Sequence, residues 1–281
     1  MPFKLDKPLC SLATQRKPAK LANISDKPTK ARVGKPTTFV KEYFDWSCDH
    51  WFSFDIETNN LAPSSEMVWE LGDYHHQRRK GNIACVAELR IVQLGWAFGK
   101  FGTSNLPITK NRCITPDGFE VFQSATRIHK LTKESLAKNG KDIKLVLDEF
   151  KTDLEQVIGA GGRVCAHNIE FDAAVLHAEM VREGMTDEDI SMFDIAIYNG
   201  FCTFDPGLTG WCCREYLCTI SKYQEMPDVD KPVSLKELVR VLDPDLQLSC
   251  HPAHDAGADS LAVWLVLREL RKLVLNCDLD V

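Results

Sequence analysis

Six positions in this chain carry side chains whose types and spacing suit acid chemistry. Asp55 and Glu57 stand two apart in the run WFSFDIET, which begins at Trp51 and reads as a short buried strand. On a strand, residues i and i+2 emerge on the same face, so the two carboxylates sit together at the end of an apolar segment. Their repulsion and lost hydration call for a positive partner. Asp172 falls in HNIEFDAAVL, where Asn168 is a natural N-cap and Asp172 lies in the first turn of the helix that follows, with Phe171 and Val175 turned inward. Asp259 occupies the opening turns of a last helix in HPAHDAGADSLAV, with His254 just before it and His251 as a competing imidazole. Each feature has an ordinary explanation by itself: a strand end in water, a helix-dipole carboxylate, a surface histidine. Together they present four acids at one strand end and two helix starts, with no matching basic cluster. Oxygen ligands of this kind suit Mg²⁺ or Mn²⁺ better than zinc.

The elements that must position these groups alternate in type. After the Trp51 strand, VAELRIVQLGWAF at 86–98 and NRCIT at 111–115 read as further strands, and 116–141 as loops around one short helix. Ile143, Val146, Leu147, Phe150, Leu154 and Val157 recur at helical spacing behind Asp142 and stop at Gly159. RVCAH at 163–167 is a strand, and the helix after Asn168 ends before Gly184. SMFDIAI at 191–197 is compatible with a strand or a helical turn. Ser234 and Glu237 form a capping box ahead of LKELVRVL, and the final helix runs from about Asp255 to Leu275. Strands interleaved with helices predict an α/β domain.

With these motifs in place, the chain resembles the DEDDh (DnaQ-like) 3′→5′ exonucleases of the RNase H-like superfamily. FDIET at 54–58, HNIEFDAAVL at 167–176 and HDAGADSLA at 254–262 match that family's three motifs in order, and IHKLTKESL at 128–136 resembles its substrate-side loop. The resemblance implies an RNase H-like fold with a central mixed sheet flanked by helices. It implies catalysis by Asp55, Glu57, Asp172, His254 and Asp259. The four acids would hold two Mg²⁺ or Mn²⁺ ions, and His254 would take the proton from the attacking water. Ile56, Thr58, His129, Leu131, Asn168 and Phe171 are the implied substrate contacts. The substrate would be a nucleic-acid 3′ end, preferably single-stranded, RNA or DNA, with nucleoside 5′-monophosphates as products. A homodimer or a polymerase or other protein partner stays open. The first motif continues TNNL where many relatives have TTG, which implies a different backbone at the terminal nucleotide. Two further readings are a proofreading subunit, which shares the chemistry, and an idle nucleic-acid-binding or scaffold module, which needs no clustered acids.

Composition sets the frame. Of 281 residues, 44% are hydrophobic and 26% charged, as in a globular protein. No apolar run approaches the ~20 residues that span a bilayer, and no secretory block opens the chain. An intracellular protein is expected, cytoplasmic or nuclear, with organelle import open. The net charge of −6 divides unevenly, because residues 1–36 carry +7 and leave −13 for the rest. Residues 1–48 read as a flexible basic extension and 49–281 as the exonuclease domain, with candidate insertions at 62–86 and 199–232. The 11 cysteines are odd in number and scattered, which favours reduced thiols. Cys202, Cys212, Cys213 and Cys218, with Cys250 and His251, lack the CxxC spacing of a zinc site. Trp69 and Trp211, in the insertions, are the tryptophans to test for base stacking.

Overall fold

The computed structural model describes residues 46–61, 88–102, 106–204, 233–242 and 254–276. The insertion read at 62–86, most of that at 199–232, Trp69, Trp211 and His251 lie outside them, as does most of the basic extension. Trp46, within that extension, is buried against the core.

Five described strands form one mixed sheet: β1 (His50–Thr58), β2 (Ile91–Lys100), β3 (Ile108–Cys113), β4 (Arg163–Ala166) and β5 (Phe201–Cys202), in the order β3-β2-β1-β4-β5. β1 pairs antiparallel with β2 and parallel with β4. It is therefore the centre of the sheet, and its near-continuous apolar run is what a strand covered on both faces needs. The described helices are α1 (Gln123–His129), α2 (Lys133–Asn139), α3 (Ile143–Gly159), α4 (Ile169–Arg182), α5 (Asp187–Tyr198), α6 (Leu235–Leu242) and α7 (Ala256–Asn276). None of them is long and apolar enough to cross a membrane.

Alternation along β1 divides the core. Phe52, Phe54 and Ile56 pack with Trp96 of β2 and with Phe150, Val175 and Phe193 of α3, α4 and α5. Phe150 meets Phe52, Trp96 and Phe54 edge-on at ring-centroid distances of 5.1, 5.6 and 5.8 Å. On the opposite face Trp51 packs with Phe101 and with Trp264 and its neighbours on α7. Asp55 and Glu57 continue the Trp51 side, which directs both toward α7.

Several elements differ from the sequence reading. SMFDIAI is helical throughout, as part of α5. Thr186 accepts from the Asp189 N–H at 3.2 Å, and Asp187, Glu188 and Asp189 occupy the first turn, where the helix dipole favours acids. The stretch 116–141 holds two short helices rather than one, because Thr132 and Ser135 build a second start through reciprocal hydrogen bonds of 3.2 and 3.0 Å. β2 begins at Ile91, later than expected, and β3 covers 108–113 rather than 111–115. Asn168 stands at the start of α4 but does not cap it by its side chain; it has φ 69° and no capping hydrogen bond.

Candidate active site

The acids meet where β1, still paired with β2, runs past the end of β4. β4 pairs with β1 only as far as Ser53, so the β4 side of β1 is open beyond that point. The Asp172 carboxylate is brought there by the first turn of α4 and lies near the Ile56 backbone, which opposes the rise of its pKa. Asp172 is buried, 3% exposed, and its Oδ2 has no hydrogen-bond partner.

Asp259 arrives on α7, whose first turn presses on the sheet. Gly95 makes this contact tight, since a Cβ there would lie 2.1 Å from the Ala256 carbonyl, and a Cβ on Gly257 would lie 2.6 Å from the Cβ of Asn111. Asp255 locks the start of the helix. It accepts from the Ala258 N–H at 3.0 Å, from Gln93 Nε2 at 3.1 Å and from Asn111 Nδ2 at 2.9 Å. Gln93 returns an acceptor to the Ala256 N–H at 2.9 Å. One turn further, the Ser53 hydroxyl lies 2.7 Å from the Ser260 carbonyl. The helix that carries Asp259 is thus fixed to β1, β2 and β3 by polar contacts as well as by its apolar face.

Ligand atoms of Glu57, His254 and Asp259 lie within 4.8 Å of one another. Burial, then Asp172, Asp259 and Glu57, hold the Asp55 carboxyl well above the usual carboxylate range. Burial, then Glu57, raises Asp172 likewise. Glu57 is pushed up to about 8 by burial and by Asp259 and Asp255. Asp259 is also raised by burial, against the opposing pull of His254. The groups that act on Asp55 and Glu57 are other carboxylates, so the cluster is short of positive charge. Four oxygen donors of this kind, one with an orphaned buried atom, fit a hard divalent cation.

Beside the acids opens a cavity of about 290 Å³. Five of the six expected substrate contacts line it: Ile56, Thr58, His129, Asn168 and Phe171, together with Glu57 and His254. Leu131 does not. Its backbone N–H instead donates to His129 Nδ1 at 3.0 Å and orients that ring. Burial lowers the His129 pKa. Asn60, Leu61 and Ile128, which fall in the TNNL and IHKLTKESL segments without having been singled out, also line the cavity, as does Ala125; Ala125 escaped the sequence reading, as did Gln93, Asn111 and Asp255 behind it. Asp255 alone had a local signal, an acid at the residue before a helix. The described cysteines, Cys48, Cys113, Cys165 and Cys202, are thiols rather than disulfides, and burial raises the thiol pKa of Cys165.

No family model matches the chain, and no curated protein sequence matches it. Solved structures do. Exonuclease I aligns with a TM-score of 0.50 and 15% identity over 81% of this chain and 43% of that one. Escherichia coli exonuclease I in complex with a 5cy-dA13 oligonucleotide gives 0.49 and 15%, over 81% and 42%. The Mg²⁺ and Mn²⁺ bound form of Schizosaccharomyces pombe Pop2p gives 0.46 and 16%, over 79% and 82%. With its mixed five-stranded sheet flanked by helices and its likeness to exonuclease I, the chain has the RNase H-like exonuclease fold.

Proposed function

We propose that this protein is a metal-dependent 3′→5′ exonuclease of the DEDDh type, acting on single-stranded or frayed nucleic acid. The observation that carries the reading is the convergence of carboxylates from β1, α4 and α7 beside a half-apolar cavity, with the buried Asp172 Oδ2 left without a partner. Asp55, Glu57, Asp172 and Asp259 would hold two Mg²⁺ or Mn²⁺ ions. Such ions supply Lewis acidity to a phosphodiester and lower the pKa of water.

The rest of the chemistry belongs to the chain. Ile56, Leu61, Ile128 and Phe171 offer apolar surface to the terminal base, while Thr58, Asn60 and His129 offer polar contacts to its sugar and phosphate. His254, at the cavity edge and tied to Asp259, takes the proton from water as its oxygen attacks phosphorus. The bond from phosphorus to the 3′ oxygen of the preceding nucleotide breaks, that oxygen takes up a proton, and a nucleoside 5′-monophosphate leaves.

The test incubates the full chain with 5′-labelled single-stranded DNA and RNA in Mg²⁺, Mn²⁺ or EDTA. A ladder shortened from the 3′ end, abolished by EDTA and by Asp55→Ala, is expected. Intact substrate with both cations rejects the reading.

A further inference from the structure

Three separate pieces of chain wall the cavity, and one side chain joins them. Asn59 follows the last residue of β1 and is buried, 4% exposed, an unfavourable place for an amide unless its polar groups are used. Its backbone N–H donates to the Arg90 carbonyl at 2.9 Å, and its Oδ1 accepts from the Arg90 N–H at 2.8 Å. Its Nδ2 donates to the Glu120 carbonyl at 2.9 Å, and its own carbonyl accepts from the Phe122 N–H at 2.8 Å. Those contacts assign the amide orientation, since Oδ1 faces a donor and Nδ2 an acceptor.

Each partner leads to a wall. Arg90 grips Glu179 of α4 through Nε at 2.6 Å and Nη2 at 3.3 Å, and α4 brings Phe171 and Asp172. Phe122 is the N-cap of α1 and supplies no side-chain cap, so the start of that helix leans on the two bonds to Asn59. α1 brings Ala125, Ile128 and His129 to the cavity. The residues just before Asn59 are Glu57 and Thr58. Asn59 itself does not line the cavity.

We infer that Asn59 is a positioning residue that sets the gap between α1 and the acidic end of β1, and through it the fit of the terminal nucleotide. This rests on the function proposed above. Two variants isolate the α1 arm. Asn59→Asp keeps the acceptor for Arg90 but turns an oxygen toward the Glu120 carbonyl. Phe122→Pro leaves Asn59 intact and removes the N–H that reaches its carbonyl, at a φ of −77° that proline adopts without strain.

Steady-state kinetics on the oligonucleotide that the wild type cuts are combined with amide hydrogen exchange and Mn²⁺ titration of the same full-length variants. For both variants KM is expected to rise about tenfold with kcat within about threefold, as for a loosened binding wall. Exchange should accelerate across 123–129, with β1 and Mn²⁺ affinity unchanged. Unchanged KM and exchange overturn the inference, and so does a parallel loss of kcat and of protection along β1, which marks a merely structural residue. If the wild type cuts nothing, the proposed function falls separately. Exchange then still decides whether Asn59 holds α1: acceleration confined to 123–129 supports the tether and its absence refutes it.

Discussion

The backbone N–H of His254 donates to Oδ2 of Asp259 at 3.2 Å, so the backbone that carries the imidazole is tied to the carboxylate of the third motif. His254 has φ 64°, a left-handed conformation that asparagine tolerates. His254→Asn therefore keeps the backbone and deletes the basic ring nitrogen. Cleavage is expected to slow by about 10²–10⁴-fold, with the melting temperature within a few degrees of wild type. His251→Asn is expected to cleave at close to the wild-type rate. The reverse order of effects in the two assays would move the general base to His251.

Asp172 shows the conflict between stability and chemistry. Its carboxylate is buried among like charges with one oxygen unpartnered. Asp172→Asn keeps the shape while removing the charge. The metal-free protein should gain about 1–2 kcal/mol, read as a melting temperature about 2–8 °C higher at pH 8. Nuclease activity should disappear. A variant that is both inactive and less stable than wild type would contradict this account of the cluster.

Glu57 makes stability and cation binding depend on pH in opposite ways. Its carboxyl is raised from 4.5 to about 8 in the folded chain, so between those values the folded state keeps a proton that the unfolded state releases. Metal-free stability therefore falls as pH rises through this window, by at most about 1.4 kcal/mol per pH unit for one group, and levels off above it. A cation must displace the proton, so Mn²⁺ affinity should rise with pH up to about 8. Calorimetry at pH 7 in two buffers of different ionisation heat should report proton release on binding. Equal apparent heats in both buffers would disprove it.

Gly95 is the point where α7 touches β2. Gly95→Ala places a methyl 2.1 Å from the Ala256 carbonyl, and backbone must move to admit it. A loss of about 1–3 kcal/mol or more is expected in urea denaturation. Activity should fall further than stability alone explains, because the shifted turn carries Asp259.

Local pattern reached the parts of this fold that local physics decides. α3 follows its apolar spacing from Val146 to Val157, and the Ser234–Glu237 box is present, with the Ser234 N–H donating to Glu237 at 3.1 Å. The ordered acids were legible because each sits in an apolar frame. α5 was ambiguous because a seven-residue apolar window satisfies both periods, and the deciding cap, Thr186, lies upstream of it. Gln93, Asn111 and Asp255 were invisible for a different reason. Gln93 and Asn111 are 162 and 144 residues from Asp255, and no local rule pairs polar side chains at that distance. Asn168 carries a capping residue's identity but a left-handed backbone, which the residue type alone does not reveal.

The docking of the first turn of α7 on Gln93 and Asn111 also sets an order of events. Contacts spanning so much chain form late, since loop-closure entropy must be met before they stabilise anything. During synthesis the ribosome delivers β1 and α4 well before residue 254 emerges. A nascent or truncated chain that stops short of Asp259 holds at most three of the four acids, and under the proposed function it would be inert toward nucleic acid.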